Sequence, residues 1–173
     1  MRMADIITER LLIRGTRESD GGDCLEIWLD DEMGRYLSDP PRELADEAEL
    51  NFAVGIEGDE GWYPMVALHR ETGDFIGTCS VVPSDGGARW DIGYAVHKRH
   101  WRRGYATEVL RALIAEGAAR GVASFSATVA KENAASNALM AKLGFRVISD
   151  TGSFRKRLTD IVYPEYKYSL EIK

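Results

Sequence analysis

Four cationic side chains, Lys98, Arg99, Arg102 and Arg103, crowd into residues 97–103 of the 173-residue chain, inside the run HKRHWRRGYATE that spans residues 97–108. Gly104 follows at once. Beyond it lies the strongest helical pattern of the sequence, in which Ala106, Val109, Leu110, Leu113, Ile114 and Gly117 recur at i, i+3, i+4 and i+7. A helix that opens in this way presents unpaired backbone N–H groups and about half an elementary positive charge, which is the chemistry of an anion site and of phosphate above all. Gly104 and Ala106 let a ligand approach the backbone closely. The commonest phosphate loops, GxxxxGK[ST] and GxGxxG, are absent, so the phosphate must belong to some other class of ligand. On charge spacing alone, a solvated loop explains the run equally well; its surroundings have to decide.

Those surroundings are read as one domain over residues 1–173. Hydrophobic residues make up 45% and charged residues 29%, enough to build a core and too balanced for a disordered or fibrous chain. Lys and Arg number 22 against 28 Asp and Glu, and the net charge of −6 argues against nucleic acid or an anionic membrane as partner. Cys24 and Cys79 are too few for a disulfide scaffold, and His69, His97 and His100 lack the spacing of a zinc site, so no metal is expected. Charged residues interrupt the apolar runs of the opening MRMADIITERLLIRG, leaving neither a signal-peptide core nor a membrane-length segment. A reducing, cytoplasmic setting is the expectation.

The pattern predicts a first strand over residues 8–14, ending at Gly15, then a helix capped by Asp20 with Leu25, Trp28 and Leu29 on one stripe. A second helical face carries Leu44, Ala48, Phe52 and Ile56, with Asp39-Pro40-Pro41 breaking the chain between the two. The period then changes. Residues 62–69, 75–82 and 89–96 read as an antiparallel meander joined at Thr72-Gly73-Asp74 and Asp85-Gly86-Gly87. Alternation sends Trp90, Ile92, Tyr94 and Val96 to one side and Asp91, Gly93 and Ala95 to the other, with Gly93 at a bulge or beside a ligand. After the helix that Gly121 ends come a strand at 122–130, a short helix capped by Asn133 and running to Gly144, and strands at 145–148 and 161–170, the last offering an edge to a partner. The sum is an α+β layered domain with a mixed sheet.

Taken together, ITERLLIR at 7–14, TGDFIG at 72–77, DIGYAV at 91–96, WRRGYATE at 101–108 and ENAASNALMAKLGF at 132–145 resemble the Gcn5-related N-acetyltransferases (GNAT), and within them the branch that acetylates ribosomal-protein N-termini. The likeness covers nearly the whole chain. It implies a mainly antiparallel sheet of about seven strands with helices on both faces and central strands splayed apart. It implies acetyl-CoA as cosubstrate, its pantetheine arm pairing with strand backbone near Tyr94, Ala95 and Val96. Arg102, Arg103, Gly104, Tyr105, Ala106 and Thr107 match the family's pyrophosphate loop, with His97, Lys98 and Arg99 toward the nucleotide. Asn133 matches the Asn that bonds the pantetheine region, and Ser136 falls one turn later near the thioester. The chain departs from the family at Trp101 and Arg102 in the loop and at Asn137, where a basic residue is frequent. Met140 stands where many members carry the Tyr that protonates the departing thiolate.

The implied activity is direct attack of a primary amine, on a protein N-terminus or a small molecule, upon the thioester. The amine must be neutral and aligned, and the oxyanion must meet fixed dipoles. An α-amine, with a reference pKa of about 7.7 to 8.0, is about a tenth free at neutral pH, whereas a Lys amine near 10.4 is almost wholly protonated. Asp91 is the candidate base, with Glu132 in reserve, and Ser136 or water serves the thiolate. As a simple alternative, Asp91 pairs with Arg89 or a solvent-facing neighbour. Trp28, Trp62, Trp90, Tyr166 and Tyr168 belong to an acceptor cleft or, more often for aromatics on strands, to the core. Loss of the Tyr at position 140 also admits a non-catalytic acyl-CoA-binding sensor. The oligomeric state is expected to be monomer or homodimer.

Overall fold

The strand expected over residues 8–14 begins only at Leu11, and a two-residue strand precedes it. In the computed structural model, which describes residues 3–57 and 61–173, β1 (Ile6–Ile7) and β2 (Leu11–Gly15) form a tight antiparallel pair. Thr8 makes the reversal: its N–H donates to the Leu11 carbonyl at 2.9 Å and its Oγ1 accepts from the Leu11 N–H at 3.0 Å. Asp20 precedes α1 (Gly21–Trp28) as expected but does not cap it. Its carboxylate is held by the two ends of the Arg14 guanidinium at 2.8 and 2.9 Å and by the Arg17 N–H at 2.7 Å, a buried bidentate pair. α2 (Ala45–Glu57) follows, and Phe52 on it packs at 5.9 Å from Trp28.

The meander is β3 (Tyr63–His69), β4 (Phe75–Ser84) and β5 (Arg89–Val96), antiparallel throughout. Its irregularity lies between Ala67 and Leu68, while Gly93 sits in register opposite Ser80 without a bulge. α3 (Tyr105–Ala119), β6 (Ser124–Ala130), α4 (Ala134–Lys142), β7 (Arg146–Arg155) and β8 (Val162–Glu171) complete the chain. The sheet has eight strands in the order β1-β2-β3-β4-β5-β6-β8-β7, one more than expected because β1 stands apart from β2. The last strand is not an edge: β8 lies between β6 and β7, and β7 takes the edge.

Side-chain alternation sends the helices to opposite faces. Val66 and Phe75 bury with Cys24, Ile27, Met33 and Phe52 under α1 and α2. Trp90, Ile92, Phe125 and Ala127 bury with Val109, Leu110 and Leu113 of α3 and Met140 of α4. Trp90 and Tyr168 are therefore core, and Trp28 belongs to the helix contact. Where α3 crosses the sheet, Gly117 lies against the edge-to-face pair of Trp90 and Phe125, and a Cβ there would come within 2.6 Å of Phe125. Gly117→Ala is expected to overpack this contact and cost about 1 to 3 kcal/mol. Urea unfolding measures it, and a loss near zero would mean that the two rings shift freely.

Candidate functional site

β5 and β6, the strands at the middle of the sheet, run parallel and pair only at Arg89 with Ser124, Trp90 with Phe125 and Asp91 with Ser126. Beyond Asp91 and Ser126 the ladder stops, although β5 stays paired to β4 as far as Val96 and β6 to β8 as far as Ala130. The two strands therefore open a wedge between Ile92–Val96 and 127–130, with Asp91 and Ser126 at its apex.

The mouth of the wedge is built by the run at 97–108, whose charges divide into two groups. His97 is buried: its Nε2 lies 3.1 Å from Glu26 of α1, its Nδ1 accepts from the Arg99 N–H, and its backbone N–H donates to Ile76. Lys98 pairs with Asp30 at 3.4 Å, and Arg99 donates to the Phe75 carbonyl and to His100. These three side chains tie the loop to α1, to the residues just after it and to the sheet, while Lys98 and Arg99 stay exposed. Trp101, by donating its indole N–H to Val96 O at 2.7 Å, ties the turn to the end of β5.

The second group is free. Arg102 and Arg103 are exposed, with no ion pair among the described residues. Arg102 and Gly104 take left-handed backbone conformations, with φ of 61° and 79°. Within the described residues no hydrogen-bond acceptor takes the N–H groups of residues 102–107. Successive amides in such a turn, opening into the 15 residues of α3, form a concavity for an anion.

On the other side of the wedge, Asn133 caps α4 by accepting from the Ser136 N–H at 3.3 Å. Ser136 Oγ lies 2.6 Å from the hydroxyl of Tyr94, so a hydrogen bond ties β5 to α4 across the opening. Burial pushes the Tyr94 phenol up, against the opposing effect of Ser136. Asn137 is fully used in structure: its amide nitrogen donates to the carbonyls of Ala130, Lys131 and Asn133, and its oxygen accepts from Tyr168 at 2.6 Å. Met140 is 1% exposed and packs in the core.

Asp91 is at the apex on the face that α1 and α2 cover. Ser126 Oγ donates to it at 2.8 Å, and burial raises its carboxyl above the ordinary value, with Ser126 and Lys167 opposing. Glu165 on β8 is likewise raised by burial and then by Asp91. The Cys24 and Cys79 thiols are pushed by burial up to about 12, so neither is a thiolate nucleophile near neutral pH.

Sequence reasoning missed a second buried ion on this face. Lys156, in the β7–β8 turn, donates to Gly34 O at 2.7 Å and Leu37 O at 2.9 Å, and the Arg157 N–H donates to Ser38 O at 3.0 Å. The turn thus straps down the segment between α1 and α2, which lays Tyr36 edge-on against Tyr163 at 5.4 Å, and Phe154 stands 5.3 Å from Tyr163. Tyr163, Glu165 and Lys167 alternate onto the Asp91 face. A Lys in a charged, Gly-poor stretch carries no sequence signal for such burial. The contact of the Tyr94 hydroxyl with Ser136 was missed for another reason: strand alternation gives the face of Tyr94 but not its partner on a helix 42 residues away.

A family model described as an acetyltransferase (GNAT) domain matches residues 10–146. A Bacillus licheniformis protein named uncharacterized N-acetyltransferase p20 is 28% identical over 97% of this chain and 96% of its own. The solved spermidine N-acetyltransferase of Vibrio cholerae, in complex with CoA and spermine, is similar at a TM-score of 0.79 with 14% identity, covering 95% of this chain and 96% of that one. The Salmonella typhimurium acetyltransferase that modifies the N-terminal serine of ribosomal protein L7/L12 reaches 0.78 at 18% identity, covering 98% of this chain and 100% of that one. These two structural likenesses carry the fold.

Lys156→Met removes both carbonyl contacts of the strap. Hydrogen exchange across residues 33–39 is expected to quicken by about tenfold while α3 stays protected; unchanged exchange would show that other contacts hold the segment.

Proposed function

The chain belongs to the GNAT family and is an acetyl-CoA-dependent acetyltransferase, and from that premise we propose that it acetylates a primary amine by direct attack, using the wedge between β5 and β6. The single observation that carries this reading is the coincidence of an open strand pair with six unclaimed amides, 102–107, at its mouth. The amides suit a diphosphate, Arg102 and Arg103 add exposed charge beside it, and the edge that β6 leaves open at Tyr94, Ala95 and Val96, the Val96 carbonyl held by Trp101 apart, suits an amide-bearing arm that joins it as a strand would. Asn133 retains its amide nitrogen for such an arm. His97 contributes by holding the loop in place.

Within this reading Asp91 takes the proton of the attacking amine. Its raised carboxyl lies nearer the amine in proton affinity than an exposed Asp would, which favours transfer. The nitrogen attacks the thioester carbonyl carbon, the carbon–sulfur bond breaks, and the thiolate needs one proton. The hydroxyl pair Tyr94–Ser136 supports that step in place of the Tyr that Met140 replaces: Ser136 gives its proton as it takes that of Tyr94. Tyr94 regains one from solvent, balancing the proton that Asp91 took from the amine and returns to solvent. The acid absent at 140 is thereby compensated, and the sensor reading loses its motive. Glu165, Asp91 and the ring of Tyr163 favour a cationic or amine-bearing acceptor. The two structural neighbours act on spermidine and on a protein N-terminal serine; an α-amine, being the more readily neutral, is the acceptor we favour.

Thiol release with acetyl-CoA and a panel of N-terminal peptides and polyamines tests this. Turnover with an α-amine peptide is expected, and turnover with polyamines alone would overturn the acceptor. For Asp91→Asn, kcat is expected to fall by about 100-fold or more. In the parent, activity falls as pH drops through the raised Asp91 value, because the base is then protonated; the variant loses that limb and keeps the one set by the amine. An unchanged profile would remove Asp91 as base.

A further inference from the structure

The turn between β1 and β2 faces the start of α3 across a groove lined by Ile7, Thr8, Arg10, Gly104, Thr107 and Arg111. Two side chains of the turn bridge it, Arg10 the more extensively. Arg10 Nε donates to Glu108 Oε1 at 2.7 Å, its Nη1 donates to the carbonyl of Arg103 at 2.9 Å, and its guanidinium carbon stands 4.2 Å above the Tyr105 ring. Glu108 also accepts from Thr8 Oγ1 and, at 3.0 Å, from the Arg10 N–H. Burial opposes its ionisation, but the bonds from Thr8 and Arg10 outweigh that and hold its carboxyl below the ordinary value.

We infer that Arg10 is a positioning residue for acetyl-CoA: by fixing the Arg103 carbonyl and neutralising Glu108, it turns the amides of the loop toward the diphosphate. The inference rests on the reading of residues 102–107 as the phosphate loop. Two physical steps carry it. A trans peptide unit points its C=O and N–H in opposite directions. Pinning the Arg103 carbonyl toward the β1–β2 turn therefore sends the Gly104 N–H the other way, and the left-handed φ of 79° at Gly104 continues that orientation into α3. Second, Glu108 suits the positive end of α3 but repels an anion bound one turn away. With Arg10 in place, the carboxylate is paired; without it, an unbalanced negative charge adjoins the site. Lys does not substitute fully, since one ammonium lacks the planar fork that reaches Glu108 and the Arg103 carbonyl together.

The test is calorimetric titration of the full chain with CoA, alongside steady-state kinetics, for the parent, Arg10→Ala, Arg10→Lys and the double variant Arg10→Ala/Glu108→Gln. Arg10→Ala is expected to weaken CoA binding, and to raise KM for acetyl-CoA, by about tenfold, with kcat and the acceptor KM within about twofold of the parent. Arg10→Lys is expected to fall between the two. The double variant is expected to recover part of the loss, because the unpaired charge is gone; this recovery is what a merely structural role would not produce. If Arg10→Ala folds poorly, the double variant against Glu108→Gln gives the same comparison without the bare carboxylate. Parent and Arg10→Ala binding CoA equally would overturn the positioning role alone. A parent that binds no CoA would overturn the phosphate-loop reading and the positioning role with it.

Discussion

The sheet is continuous across its middle for only three residue pairs, and everything else about the molecule follows from how its two halves are held apart beyond them. Parallel neighbours ordinarily keep pairing, because an unpaired strand edge inside a sheet leaves donors and acceptors without partners. Here each strand is restrained outward. The end of β5 is drawn toward α1 by His97 on Glu26 and held on β4 by the His97 N–H on Ile76, and Trp101 occupies the Val96 carbonyl. The end of β6 is kept on β8 by the Lys131 N–H on Pro164 and by Asn137, which gathers three carbonyls and the Tyr168 hydroxyl. The backbone groups left between them have no strand partner, and in the proposed function a molecule with amides of its own completes the sheet.

The same economy governs charge. A run of four cations in a chain of net charge −6 looks from the sequence like one anion-binding patch. In the folded chain all four are exposed, but Lys98 and Arg99 bond Asp30, His100 and the Phe75 carbonyl, whereas Arg102 and Arg103 have no ion pair among the described residues. The amides at 102–107 have no acceptor among the described residues, and in the proposed function the gripping falls to them. Fixed dipoles need no reorganisation when an anion arrives, whereas exposed arginines are screened and lose side-chain entropy on ordering.

This division explains what the sequence disclosed and what it withheld. The meander, α3 and the Asn133 cap were legible, because each is governed by local periodicity or by one polar residue at a helix start. The mixed sheet and the helices on both faces were legible from the resemblance of five spaced motifs. The interior place of β8 was not, since an alternating strand reads alike at the edge and in the middle. Nor was the use of Asp20: as a helix cap it looks ordinary, and only the fold brings Arg14 beside it. Within the site, Gly104 and its flanking amides were visible, but the hydrogen bonds that His97, Tyr94 and Lys156 make within the fold were not. Their partners Glu26, Ser136, Gly34 and Leu37 lie 42 to 122 residues away in the chain.

Parity within β5 then orders the proposed chemistry. Residues 91 and 94 are an odd number of positions apart, so their side chains leave the sheet on opposite faces. Asp91, with Glu165 and Lys167, looks toward α1, α2 and the strapped segment bearing Tyr36; the Tyr94 hydroxyl looks toward α4 and Ser136. A sheet is one backbone thick, so a group lying in the gap between two of its strands is open to both faces at once. An amine approaching from the first face gives its proton to Asp91, and a thiolate leaving toward the second receives one from Ser136. The two proton transfers need never compete for one residue. That separation requires the strands to part immediately after Asp91, which is where the ladder ends.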